Sequence, residues 1–156
     1  MRACSTEELK ARLRMRAARI SDIDTTIGRL KEIGYLNDER FAESYAANRL
    51  GNDGFGRVRV LRDLRARRVP SKLAEKAVEH VFEGKSEPEL IDAFIARRMP
   101  SVAGGGKIED DRVLARAYRQ LRRAGFTSGG SLAALKRIAA RPDEIEEPAP
   151  DDELSE

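Results

Sequence analysis

Residues 34–49 read GYLNDERFAESYAANR, and the first few of them decide how the chain is built. The segment before them, SDIDTTIGRLKEI at 21–33, places Ile23, Ile27, Leu30 and Ile33 at helical spacing. Ser21 and Asp24 have the spacing of a capping box, with Asp in place of the usual Glu or Gln. Gly34 follows the last periodic residue, where a left-handed conformation is cheapest for glycine. Asn37 is then a helix N-cap, and Asp38 and Glu39 fall in a first turn that favours negative charge. With Asn37 as the cap, Leu36 and Phe41 hold the two positions of a hydrophobic staple. One helix therefore ends and another begins within three residues, with Tyr35 and Leu36 expected to fasten the corner. The stretch is a rigid elbow.

The same grammar recurs along the chain. Helical patterns run over 5–18, 21–33, 37–50, 55–67, 71–83, 87–98, 108–124 and 130–140. The later ones repeat the earlier ones. At an offset of 49, Asp38 matches Glu87, Phe41 matches Leu90, Tyr45 matches Phe94 and Arg49 matches Arg98. At an offset of 57, Leu61 matches Tyr118, Leu64 matches Leu121, Arg65 matches Arg122 and Val69 matches Phe126. The extra eight residues enter with MPSVAGGGK at 99–107, an enlarged loop. The predicted architecture is all-α. It comprises an incomplete first repeat of two helices over 1–36, a second three-helix repeat over 37–84 and a third over 85–141. Triplets this small bury their faces only by packing on neighbours, so an elongated, curved helical array is expected.

Composition agrees with that reading. A 37% charged content, 5% aromatics and no Trp speak against one large aromatic core, while 40% apolar residues suffice for helices with one buried stripe each. Residues 142–156 hold eight acids and no base, which leaves residues 1–141 with eleven positive charges in excess. With Pro142, Pro148 and Pro150 among those acids, 142–156 reads as a disordered acidic tail. Two roles for it stand open: a solubilising segment, or an internal polyanion mimic that competes for a basic face. Of 30 basic residues 23 are Arg, whose planar fork suits phosphate and carboxylate.

The arginines are patterned. In EDDRVLARAYRQLRRAGF, Arg112, Arg116, Arg119 and Arg123 fall within about 60° on a helical wheel, opposite Leu114, Ala117, Tyr118 and Leu121. In GFGRVRVLRDLRARRV, six arginines face Asp63 alone. Arg12, Arg14, Arg16 and Arg19 make the first unit basic too. The candidate binding residues are Arg57, Arg59, Arg62, Arg65 and Arg67 in the middle unit, and Arg112, Arg116, Arg119, Arg122 and Arg123 in the last.

Signatures of catalysis are missing. His80 is the only histidine and Cys4 the only cysteine, so neither a metal set nor a triad is expected. No Gly-Lys-Ser/Thr phosphate loop occurs, and the three glycines at 104–106 lack the strand that would make them a phosphate cradle. Glu109, Asp110 and Asp111 open a helix, where acids cap and meet the dipole. A non-enzymatic protein with no cofactor and no metal is expected. One cysteine, no apolar run of about 18 residues and no signal-peptide core suggest a cytoplasmic monomer without membrane contact.

Taken in order, GYLNDERFAESYAANR, GFGRVRVLRDLRARRV and RQLRRAGF resemble the RecX family, regulators of the bacterial recombinase RecA. The resemblance covers about residues 5–140. It implies three-helix repeats lying in the groove of the RecA–DNA filament, with single-stranded DNA as a candidate second partner. It also implies inhibition of filament extension, ATPase, strand exchange and co-protease activity. Two departures stand out. The family usually has glycine in the turn closing each second helix, and here only Gly125 keeps it, with Arg19 and Arg68 at the other two. The family also commonly starts with a further helix that has no counterpart here. Two other classes fit the basic helices: a helix-turn-helix-like DNA-binding protein, for which only Gln120 offers a base-reading amide on them, and a scaffold that binds protein alone.

Overall fold

The structure is a computed structural model that describes residues 3–16, 19–104 and 107–145. Among these residues the regular structure is helical: α1 (Thr6–Met15), α2 (Ile20–Glu32), α3 (Asp38–Asn48), α4 (Arg57–Ala66), α5 (Ser71–Phe82), α6 (Glu87–Arg98), α7 (Pro100–Ala103), α8 (Asp111–Ala124) and α9 (Ser128–Ile138). Residues 49–53 continue α3 as a wider π-turn. The chain divides into two compact units. The first contains residues up to 53 and 60–83, the second residues 54–59 and those from 84 onward.

In the first unit the elbow forms as the local signals dictate. Gly34 is left-handed at φ 75°, and Asn37 Oδ1 accepts the Arg40 N–H at 2.9 Å, capping α3. The corner is held by Leu36, half-buried, whose N–H reaches the Leu30 carbonyl at 3.0 Å. Tyr35 is 81% exposed and fastens nothing. The capping box expected at Ser21 also fails. α2 starts at Ile20, with Arg19 as its cap and no side-chain cap bond. A complete box sits on α1 instead: Ser5 Oγ accepts the Glu8 N–H at 3.2 Å and Glu8 accepts the Ser5 N–H.

Buried alanines let α3 and α5 pack closely, with Ala42, Ala46 and Ala74 fully inaccessible. α4 buries Val60 and Leu64 and ends in a Schellman closure. There the Arg68 N–H bonds the Arg65 carbonyl (2.8 Å) and the Val69 N–H bonds the Leu64 carbonyl (3.2 Å). Arg68 stands at the left-handed position, φ 58°. That conformation costs an L-residue roughly 1–2 kcal/mol. The two closing bonds and the burial of Val69 offset it.

In the second unit the equivalent turn is the same to the hydrogen bond. The Gly125 N–H bonds the Arg122 carbonyl (3.0 Å), the Phe126 N–H bonds the Leu121 carbonyl (3.2 Å), and Gly125 has φ 92°. The correspondences of Leu64 with Leu121 and of Val69 with Phe126 thus have a backbone counterpart. Gly125 does more than turn the chain. Residues 56–59 dock on the carbonyl end of α8: the Gly56 N–H bonds the Ala124 carbonyl (2.8 Å), the Val58 N–H bonds the Gly125 carbonyl (3.2 Å) and Arg59 Nη1 bonds the Arg123 carbonyl (2.9 Å). A β-carbon on Gly125 would lie 2.3 Å from the Arg59 nitrogen, and one on Gly56 would lie 2.4 Å from the Gly125 oxygen.

The core of this unit centres on Ile91, Leu121, Leu135 and an edge-to-face pair, Phe94 and Phe126, with ring centroids 5.5 Å apart. Three boundaries differ from the sequence reading. The enlarged loop holds the one-turn α7, anchored by buried Val102 and started by Pro100 at a position that needs no N–H. α8 begins at Asp111, because Ile108 is drawn into a short parallel bridge: its N–H bonds the Ile138 carbonyl, and the Ala140 N–H bonds its carbonyl, both at 2.9 Å. α9 begins at Ser128, capped by Thr127, which Glu87 grips through its N–H (2.9 Å) and hydroxyl (2.6 Å). The folded chain also continues past Arg141 through a 3₁₀ turn, Pro142–Glu144, and Ile145 packs on the core. The rest of the predicted tail, 146–156, lies outside the described residues, as do Gly105 and Gly106.

Candidate functional site: the arginine face of α8

α8 separates its two sides sharply. Leu114, Ala117, Leu121 and Ala124 are buried, and half-buried Tyr118 shares a hydrogen bond with Ser128 Oγ (2.8 Å). These contacts fix the rotation of the helix, so Arg112, Arg116, Arg119 and Arg123 are all exposed on the other side. None of the four side chains makes an ion pair or hydrogen bond among the described residues. Neighbouring like charges at i, i+3 and i, i+4 destabilise a helix by roughly 0.2–0.5 kcal/mol per pair. Such a row supplies guanidinium forks to an anionic partner without first breaking internal bonds.

The other candidates divide by what holds them. Arg122 is exposed but donates Nη1–H to the Phe126 carbonyl at 2.7 Å, closing the turn after α8. Arg59 is half-buried, lies 4.5 Å over the Phe55 ring and bonds the Arg123 carbonyl. Arg67 is the least available. Its side chain is 14% exposed, 3.4 Å from Glu8, and 5.3 Å over the Tyr45 ring. Its carbonyl also accepts the Ser5 hydroxyl at 2.5 Å. Arg65 makes an exposed pair with Glu75 at 3.0 Å. Arg57 and Arg62 are exposed. The sequence pattern counted arginines; packing assigns some of them to structure.

A second polar cluster, in the first unit, escaped the sequence reading. Arg49 Nη1 meets Asp53 at 2.8 Å, its Nε meets Tyr45 Oη at 3.0 Å, and Asp63 lies 3.7 Å away. The hydrogen bond that Arg49 donates to Asp53, then the one it donates to Tyr45, raises the guanidinium pKa further above its already high value, so this charge is permanent. In the same unit Lys76 and Glu39 pair at 2.5 Å, lowering the Glu39 pKa and raising that of Lys76, mainly through the hydrogen bond itself. The i, i+4 relation of Arg49 to both Tyr45 and Asp53 was visible in the sequence, but Asp63 approaches only through tertiary packing.

No group of three or more His, Cys, Asp or Glu side chains that could hold a metal ion occurs among the described residues. His80 is exposed and Cys4 half-buried. Among the described residues, no helix is long and apolar enough to cross a membrane. Fold and face together define a helical module with a row of exposed arginines opposite a buried apolar stripe. Residues 37–78, which cover α3, α4 and most of α5, match the family model for the second three-helix domain of RecX. A Regulatory protein RecX of Syntrophotalea carbinolica is 31% identical over 127 residues, covering 81% of this chain and 82% of that one. The Regulatory protein RecX of Deinococcus radiodurans is 31% identical over 150 residues, 94% of this chain and 68% of its own. That of Amycolatopsis mediterranei is 27% identical over 136 residues, 87% and 75% of the two chains. The chain belongs to the RecX family of regulatory proteins.

Proposed function

We propose that this protein binds the filament that RecA forms on DNA and restrains it without catalysing a reaction of its own. It acts in the bacterial cytoplasm, limiting filament extension and with it the ATPase, strand-exchange and co-protease activities. The observation that carries the reading is the exposed row Arg112, Arg116, Arg119 and Arg123, held outward by a buried apolar side on the same helix. A filament of recombinase on DNA offers phosphates and acidic side chains, the two groups a guanidinium fork fits. Membership of a family of regulators supports the reading. Arg57 and Arg62 on α4 join as candidate contacts, while Arg59, Arg65, Arg67 and Arg122 contribute mainly by keeping their helices in place. A sequence-reading DNA binder fits less well, because Gln120 is half-buried.

The test combines Arg112→Glu, Arg116→Glu and Arg119→Glu. The triple variant keeps its helical circular dichroism but binds the RecA filament at least about tenfold more weakly in ~0.1 M salt, because three favourable charges become repulsive. Unchanged binding would remove α8 from the interface. In a light-scattering assay the unaltered protein halts filament growth on single-stranded DNA at substoichiometric amounts. Growth at the uninhibited rate would refute the proposed function.

A further inference from the structure

The bridge between residues 108 and 139–140 ties the chain ahead of the acidic segment to the residues that lead into α8. The Ala140 N–H bonds the Ile108 carbonyl, two residues before the Asp110 cap of α8. The chain then makes one turn, seats Ile145 on the core, and continues as residues 146–156. Those eleven residues carry Glu146, Glu147, Asp151, Asp152, Glu153 and Glu156 and no base. Extended, they span up to about 36 Å. α8, with fourteen residues, is about 21 Å long. A segment long enough to run its full length thus follows directly on Ile145, which packs on the core that Leu114, Ala117 and Leu121 of α8 help to form.

Charge decides where along α8 it settles. Glu109, Asp110 and Asp111 repel it from the first turn, while Arg116, Arg119 and Arg123 line the exposed side over the next ~10 Å with no acid between them. We propose that residues 146–156 dock along α8 over Arg116, Arg119 and Arg123 when no partner is bound. The contact is tethered, so a short segment meets its site at an effective concentration on the order of millimolar. The face is then a two-occupant surface: its own acidic segment at rest, an external polyanion when engaged. This second occupancy rests on the function proposed above; the docking does not.

A spin label on Ser155→Cys, in a Cys4→Ser background of the full chain, reads the docking directly. Amide signals of residues 116–123 broaden selectively in ~50 mM salt. They recover in ~0.5 M salt, where screening is nearly complete, and also when the six acids are changed to Asn and Gln. Absence of selective broadening, or broadening that survives high salt, overturns the proposal. Removing 146–156 gives the separate reading. With the face covered about four-fifths of the time, binding of a single-stranded DNA oligonucleotide tightens about fivefold at low salt. Selective broadening without any gain on removal would leave the docking standing and remove the polyanion reading of α8.

Discussion

Three glycines allow conformation and close approach to be measured apart. Gly34 is left-handed at φ 75° with open space where a β-carbon would point. Gly34→Ala therefore costs only the left-handed penalty, about 1–2 kcal/mol. Gly56 has no positive φ, but its β-carbon would lie 2.4 Å from the Gly125 oxygen and 2.6 Å from its carbonyl carbon. Gly125 combines both conditions: φ 92°, and a β-carbon 2.3 Å from Arg59 N and 2.4 Å from Arg59 Cβ. Backbone cannot step aside as a side-chain tip does, so residues 56–59 must leave the end of α8. Three hydrogen bonds go with them, from Gly56 N, Val58 N and Arg59 Nη1. At about 1 kcal/mol each, and with the left-handed penalty added, Gly125→Ala costs about 4–5 kcal/mol. Gly56→Ala costs about 3 kcal/mol through the same bonds. Urea unfolding followed by circular dichroism separates them: at a slope of about 2 kcal/mol per molar, Gly125→Ala lowers the midpoint by about 2 M and Gly34→Ala by less than about 1 M. Equal losses for Gly34→Ala and Gly125→Ala would refute the close-approach argument.

Arg68→Gly relieves a left-handed arginine at the matching turn of α4 and stabilises by up to about 1 kcal/mol, read as a higher urea midpoint. Ser5→Ala removes the α1 cap and leaves the Arg67 carbonyl without its hydroxyl donor, a loss of about 2 kcal/mol by the same measurement. In a chain ending at Ile145, where no acidic segment covers the face, Arg116→Gln removes two like-charge contacts, with Arg112 and Arg119, and raises thermal stability by about 0.5–1 kcal/mol at low salt. That gain shrinks as salt rises, and a gain independent of salt would contradict its electrostatic origin.

The elbow at 34–41 was legible because its determinants are local: a glycine after the last apolar position, an asparagine cap, acids in the next turn. The Ser5–Glu8 box is equally local, with Ser and Glu three residues apart, whereas Ser21 and Asp24 lack the longer Glu or Gln that closes such a box. Tyr35 could not be read correctly, since an aromatic at a corner looks the same whether it faces in or out. The start of α8 shifted for a related reason: Ile108 is apolar and fits helical spacing, but residues 138–140 claim its backbone for a bridge. The α8 face was the most legible part of the site, because one helix carries both the buried stripe and the arginines opposite it.

By itself the sequence settles the all-α class, the elbow and the side of α8 that faces out. Each depends on residues within one helical turn of one another, where periodicity and capping act without reference to the rest of the chain. Tertiary structure alone decides that Arg67 is bound to Glu8 while Arg62 stays exposed, and that Gly125 is needed for the approach of Arg59 as well as for its turn. Those outcomes join residues about sixty positions apart, and only packing brings such partners within hydrogen-bonding or van der Waals distance.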